Sequence, residues 1–412
     1  MSAWPAAAGS GAQTRLVATL GLAQTLAWAS SYYLPAVLAP AMARDLGMAM
    51  PMVFLAFSLA LVVSALVGPA AGRAIDKLGG RPLLLASNAV FALGLGLLSL
   101  AQGPLTLFAA WAVLGLAMGC GLYESAFATL VRLQGPAARG AITGITLIAG
   151  FASTVGWPLT AWMEAQIGWR GACLVWAGLH LLLGLPLNWR LPGLASAAPH
   201  PAPAPISAAP TPFATAPAIG ALPSEPPPPA HPALLTALLG LFFAVSLFIG
   251  TAMATHLPQL LMASGASLAV AVGVGAMIGP AQVAARLLEF GLLRRVHPLL
   301  SARLSALAHP AGIAALLLLG PAAAPLFALL HGAGNGILTI AKGTLPLALF
   351  GAQGYGARQG WLLLPARVAQ AAAPFAFGLA LDAWGAGALW LSGGLGLLAF
   401  LVLMSLPRLK PR

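Results

Sequence analysis

Few side chains in this 412-residue chain can do chemistry, and those few sit alone in apolar surroundings. His331, Asn335 and Lys342 are separated by four and seven residues. On a helix they share one stripe, with Thr339 close to the same face. Such a stripe offers a polar path along an otherwise apolar helix. Alternatively, Lys342 extends its ammonium to water and His331 bonds a neighbouring helix. Glu124, beside Tyr123, is an acid far from the ends of its apolar run. A carboxyl held in low dielectric can take up and release a proton near neutral pH, which makes Glu124 a candidate proton carrier. The alternative is an ion pair with Lys342 or Arg367. His256 and Gln259 are spaced i,i+3, and Tyr32 and Tyr33 follow Ser30 and Ser31. These groups could orient a polar ligand, and the tyrosines could equally anchor a membrane interface. Arg286 and Arg367 are further cations in apolar runs, with Gln370 one turn from Arg367. Their guanidinium forks suit carboxylates, although Arg286 and Glu289, at i,i+3, could pair with each other.

The elements that hold these residues must be membrane helices. Hydrophobic residues make up 60% of the chain and charged residues 6%, against roughly 25% charged in a soluble domain. So few charges cannot cover a water-facing surface, and the expected partner is a lipid bilayer. The net charge of +12 does not point to nucleic acid, because the basic residues sit singly or in pairs at the ends of apolar runs. Crossing ~30 Å of hydrocarbon takes about 20 apolar residues. Twelve runs qualify: 16–39, 51–74, 82–102, 104–131, 140–164, 169–189, 233–262, 267–290, 297–319, 321–349, 359–381 and 386–406, numbered here as spans 1 to 12. Gly103-Pro104 and Gly320-Pro321 mark two of the turns. The first run is too long for a cleaved signal and reads as an uncleaved span.

With the N-terminus inside, fourteen of the nineteen Lys and Arg fall on the inner side. Two, Arg44 and Arg170, fall outside, and Arg286, Lys342 and Arg367 fall within spans. The split supports both the count and cytoplasmic termini. Fourteen of residues 191–232 are proline, which predicts a disordered inner linker. It divides the chain into a tail (1–15), a six-helix bundle (16–190), the linker, a second bundle (233–407) and a tail (408–412). An acid followed by glycine closes the second span of every three: Asp76 and Gly79, Glu164 and Gly168, Glu289 and Gly291, Asp382 and Gly385. The first-to-third and second-to-fourth offsets, 213 and 218 residues, indicate a repeated six-helix unit.

The segment after span 2, Gly72-Arg73-Ala74-Ile75-Asp76-Lys77-Leu78-Gly79-Gly80-Arg81-Pro82, resembles the major facilitator signature G-x-x-x-D-[RK]-x-G-x-[RK]-[RK]. Gly72, Asp76, Lys77, Gly79 and Arg81 match, and Pro82 departs from it. The resemblance is to bacterial permeases of this superfamily. It implies a gating role for the segment, in which Arg73, Asp76 and their neighbours latch the outward-open state, with Arg286 and Glu289 as the counterpart in the second half. It also implies that spans 1, 4, 7 and 10 line a central cavity. The arginine that the family carries in span 4 is replaced by Trp111, and Thr160 and Ala161 replace the last glycines of the antiporter motif in span 5. Basic residues on spans 8 and 11 serve carboxylate transporters of this superfamily, so the resemblance points to a small organic anion.

The sequence therefore predicts an all-α membrane protein in two pseudo-symmetric six-helix bundles. It is expected to be a monomeric secondary transporter of a small solute, without cofactor or bound metal, in a bacterial inner membrane. The expected binding residues are His331, Asn335, Lys342, Arg367, His256, Tyr32, Tyr33 and Gln370. An exporter of amphipathic compounds is one alternative. Soft-metal or metalloid transport, suggested by Met118, Cys120, Met253, His256 and Met277, is another, and a membrane receptor or scaffold is a third. No H-E-x-x-H, G-x-S-x-G or Walker A pattern occurs, which argues against a membrane enzyme or an ATP-driven pump.

Overall fold

The computed structural model describes residues 10–134, 138–193, 232–291, 298–350 and 355–406. The expected linker lies almost wholly outside these residues, as do both tail ends and the inner loop with Arg294 and Arg295.

The described chain is helical throughout, and the twelve spans fall where apolar runs predict them. Span 1 is Ser10–Ala29 with Pro35–Asp45, span 2 is Met50–Leu78, span 3 is Gly80–Ser99, and span 4 is Pro104–Gly121 with Tyr123–Gln134. Span 5 is Ala138–Ala149 and the first part of Ala152–Leu179; the chain turns at Gly168 and continues as span 6, through a π-helical stretch, His180–Gly184, to Leu185–Trp189. Spans 7 to 12 are Pro232–Ala263, Leu268–Ala276 with Ile278–Gly291, Pro298–Leu319, Ala324–Phe350, Tyr355–Trp384 and Ala388–Ser405. Eight stretches are long and apolar enough to cross a membrane, and three of them contain two spans each. Span 1, which is broken and less apolar, is not among them.

The breaks have local causes. Pro35 has no N–H to give to the Ser31 carbonyl, which takes the Leu34 N–H (3.3 Å). The hydroxyls of Ser30 (2.8 Å) and Ser31 (2.6 Å) donate to the carbonyls of Leu26 and Ala27, the former alongside the Ser30 N–H. Residues 30–34 thus turn rather than continue the helix, which brings Tyr32 and Tyr33 to the centre of the molecule. In span 4 the break falls at Leu122, whose backbone is extended.

The repeat read from acid–glycine punctuation is present in the backbone. Gly47 and Gly265 both adopt positive φ (60° and 98°), at the turns after the first span of each half. Gly168 and Gly385 do the same (70° and 54°) after the fifth. Inside each half the packing also repeats. Span 4 lies against spans 2 and 3 as span 10 lies against spans 8 and 9, and span 5 packs on span 1 as span 11 packs on span 7. The halves meet where span 2 packs on span 11, span 5 on span 8, and span 1 on span 7.

Close backbone approach depends on glycines facing backbone. A Cβ at Gly336 would lie 2.5 Å from the Gln282 carbonyl oxygen, and one at Gly332 would lie 2.7 Å from that of Ile278. These glycines let span 10 lie directly on span 8. Replacing Gly336 with alanine is expected to destabilise the protein by about 1–3 kcal/mol through overpacking. Gly96→Ala, whose Cβ would meet nothing within 4 Å, is expected to be neutral or stabilising by up to ~1 kcal/mol. Thermal unfolding of both variants in detergent checks the difference.

Candidate functional site

Between the halves lies a cavity of about 190 Å³. Its first wall is aromatic. Trp28, Tyr32, Tyr33, Tyr123 and Trp157 all border it. The Trp28 ring packs 5.0 Å from Tyr32 and 4.9 Å from Tyr123, and Tyr33 meets Trp157 edge-on at 5.8 Å. This collar is fixed by polar ties. Trp157 Nε1 donates to the Tyr33 carbonyl (3.1 Å), Tyr32 OH meets Thr251 Oγ1 (2.7 Å), and Gln370 Nε2 donates to Tyr32 OH (3.5 Å).

The opposite wall is the polar stripe of span 10. His331, Asn335, Thr339 and Lys342 all line the cavity, joined by Gln282 and Arg286 from span 8. Arg286 crosses between the halves. One guanidinium nitrogen donates to the Thr146 carbonyl of span 5 (2.7 Å), and the other reaches Gln282 Oε1 (3.3 Å) and Thr339 Oγ1 (3.4 Å). Trp28 Nε1, Ser153 Oγ and Arg286 Nε belong to lining residues and have no hydrogen-bond partner among the described residues. All three can donate. The cavity is thus bordered by two cations, and among the described residues no carboxylate lines it.

Among the described residues, the cavity opens toward one face. Along span 10 the exposure rises from His331 (3%) through half-buried Asn335 to exposed Thr339, so the mouth lies toward the face that bears residues 193 and 232. Here it is termed the linker face. At the opposite face the halves are sealed. Gln259 of span 7 donates to the Ala36 carbonyl of span 1. The His256 ring is wholly buried against Phe54 of span 2, at 3.9 Å, with its Nε2 donating to the Pro374 carbonyl at 2.7 Å. Near the mouth, Glu124 of span 4 and Arg367 of span 11 form an ion pair between the halves (2.9 Å), with side chains 63% and 46% exposed.

The expected binding residues therefore divide. Tyr32, Tyr33, His331, Asn335, Lys342 and Gln370 come together around one cavity. His256 does not reach it and belongs to the seal. Arg367 does not line it either, because its guanidinium is held by Glu124. Glu124 is not enclosed in a low dielectric: a helix break at Leu122 and the cavity mouth leave it exposed. The expected Arg286–Glu289 pair is absent. Arg286 turns to the cavity and Glu289 accepts a hydrogen bond from Ser301 (3.0 Å). In the first half, Arg73, Asp76 and Lys77 are exposed and make no ion pair with another described residue. The sequence reading missed Trp28, Thr251, Ser153, Trp157 and Gln282 as wall residues. Aromatic and hydroxyl side chains in apolar runs look like core packing until the spans are placed. It also missed His309, which contacts His331 from span 9.

Two six-span halves closed over a polar cavity at one face define a membrane solute carrier. The family model of the Major Facilitator Superfamily matches residues 20–338, and the chain belongs to that superfamily. Compared with curated protein sequences, the chain has no match. Among solved structures it is similar to the nucleoside transporter NupG, with a TM-score of 0.69 over 95% of this chain and 99% of that one, at 14% identity. At that identity the likeness is one of fold.

The direction of opening has a direct test. In a protein freed of Cys120 and Cys173, Thr339→Cys is expected to react with a water-soluble maleimide, whereas His256→Cys is expected to stay protected. Equal labelling of the two in the same detergent would contradict a cavity sealed at the face opposite the linker.

Proposed function

We propose that this protein is a secondary transporter that moves a small organic anion across a bacterial inner membrane by alternating access. The observation that carries the anion assignment is the cavity wall itself. Arg286 and Lys342 border it, among the described residues no acid does, and the lining residues Trp28, Ser153 and Arg286 each carry a buried donor with no partner among the described residues. In low dielectric a cation beside a cavity draws opposite charge, so a site of this make-up favours a ligand that brings negative charge. The aromatic collar adds flat apolar surface, which suits a carboxylate with a planar or apolar body.

Alternating access follows from how the halves touch. The seal at the face opposite the linker is made of buried aromatic contacts and main-chain hydrogen bonds, while near the mouth an exposed ion pair, Glu124–Arg367, joins the halves. The positive-inside distribution makes the linker face cytoplasmic, with both termini there. The arrangement is then inward-facing. Arg73, Asp76 and Lys77 are free of ion pairs among the described residues, as expected of a latch that holds only the outward-open state. A monomer suffices, because the cavity is complete within one chain.

A second assignment, a nucleoside, draws on the aromatic and amide groups of Trp28, Tyr33, Gln282 and Asn335, which suit a base, and on the likeness in fold to a nucleoside transporter.

Thermal stabilisation of the purified protein by aromatic and aliphatic carboxylates, nucleosides and silver ion separates the assignments. A carboxylate is expected to stabilise the wild type. Arg286→Ala is expected to weaken its binding by roughly 1.5–3 kcal/mol, about ten- to a hundredfold. Stabilisation by a nucleoside or silver ion alone would sink the anion assignment.

A further inference from the structure

The most unusual cluster in the molecule lies just behind the cavity wall. His331 Nδ1 and His309 Nδ1 are 2.9 Å apart, His309 Nε2 is 2.7 Å from Ser392 Oγ, and Asn335 Nδ2 is 3.0 Å from His331 Nε2. Both rings are buried. The chain runs without a gap from span 12, through spans 9 and 10, to a residue of the cavity wall.

With the Asn335 N–H toward His331, one proton arrangement keeps both rings neutral. Asn335 presents its amide N–H to His331, so His331 Nε2 must accept. The proton of His331 then sits on Nδ1 and is donated to His309 Nδ1. His309 in turn carries its proton on Nε2 and donates to Ser392. Every ring nitrogen is occupied, so one more proton cannot enter without a change of partner. The available change is at Asn335. The added proton bonds to the Nε2 lone pair of His331, the amide turns over, and Asn335 Oδ1 accepts the new N–H. In the unprotonated arrangement Oδ1 lies toward Gly250, a cavity residue on span 7, at 3.5 Å from where a Cβ of that glycine would stand. After the flip that side carries the N–H donors instead.

We propose that the His309–His331 pair is the proton site of this transporter, and that Asn335 reports its occupancy to the anion in the cavity. The proposal rests on the anion assignment above. One proton gives the pair a net positive charge and turns an acceptor in the cavity wall into a donor. Both changes favour an anion, and by linkage a bound anion favours the proton. Proton and anion therefore move together. A side chamber of about 30 Å³, lined by Ser246, Ser305, both histidines and Asn335, adjoins the main cavity and has room for a water molecule that delivers the proton.

The surrounding groups leave this role to the pair. Span 8 brings Arg286 to the shared cavity, and Lys342 stands eleven residues along span 10, roughly 16 Å away along the axis. Span 7 contributes Ser246 and Ile249 to the chamber, neither of them titratable, and span 12 contributes Ser392 to the pair, while His256 of span 7 is turned to Phe54. Across the cavity stand Tyr32, Tyr33 and Tyr123, and at its mouth Glu124 is held by Arg367. The first half has a comparable chain, Ser30–His180–Asn88, but it has one histidine and closes within buried residues. It serves as an internal control.

The test uses full-length protein labelled with nitrogen-15 at histidine, in detergent, with sodium benzoate as the probe within the carboxylate panel. Without anion at about pH 8, one ring is expected to hold its proton on Nδ1 and the other on Nε2, and each signal should change in the other's Gln variant. Both rings protonated on Nε2 and indifferent to each other would overturn the pair as a proton site. Benzoate or another panel carboxylate is expected to bind roughly tenfold more tightly at about pH 5.5 than at about pH 7.5. His331→Gln and Asn335→Leu should flatten that dependence, and His180→Gln should keep it. Carboxylate binding with the same pH profile in all variants overturns the coupling and leaves the anion assignment standing. If no carboxylate binds at any pH, the anion assignment fails and the coupling falls with it.

Discussion

The constraint on which this structure depends is the cost of leaving a polar group unpaired in hydrocarbon, several kcal/mol for a neutral group and more for a charge. A chain with 6% charged residues has few such groups, and the fold brings many of them together between the halves. Most of the surface of the twelve helices is apolar and asks only for lipid. The polar atoms of spans 1, 7, 8 and 10 are turned to the interface between the halves, where they bond one another or face the cavity. Tyr32 and Thr251, Arg286 and the Thr146 carbonyl, and the His309–His331 pair each satisfy the same requirement in a different way.

The second determinant is close packing without a hydrophobic drive between helices. In lipid, helices associate through shape and through the few polar ties available. Glycines supply the shape. Gly332 and Gly336 let span 10 settle on span 8, and Gly275 and Gly279 let span 8 settle on span 5, against Trp157 and Thr154. The latter contact lies between the halves, and Thr154 Oγ1 strengthens it by donating to the Ala276 carbonyl (2.8 Å). Such flat interfaces can slide or rock without opening a polar gap, whereas the aromatic seal around His256 must separate as a unit. The same packing that builds the cavity therefore also determines which of its ends can open.

Much of this was legible in the sequence, and what was not has physical reasons. The spans follow from apolar length, and the two halves follow from acid–glycine turns whose glycines do adopt left-handed backbone at Gly168 and Gly385. The span 10 stripe follows from helical periodicity and lines the cavity as spacing requires. Burial is harder to read. His256 resembled His331 as a lone polar residue in an apolar run, yet one lies in a seal and the other in a cavity wall. Only the packing of spans 2 and 11 separates them. Glu124 read as enclosed because its neighbours in sequence are apolar, but a break at Leu122 and the partner Arg367, 243 positions away, place it at an opening. Contacts between the halves leave no periodic trace in either.

The central claim is that the two halves move as bodies around this cavity. Its most direct measurement is a pair of spin-label distances in proteoliposomes, one across each face. Labels at positions 46 and 264 report the sealed face, and labels at 78 and 300 report the linker face. The account predicts two populations at each pair, with the longer distance at one face accompanying the shorter at the other, and a shift in their ratio when a stabilising ligand is added. A single unchanging distance at both pairs, or distances that lengthen together, would contradict it.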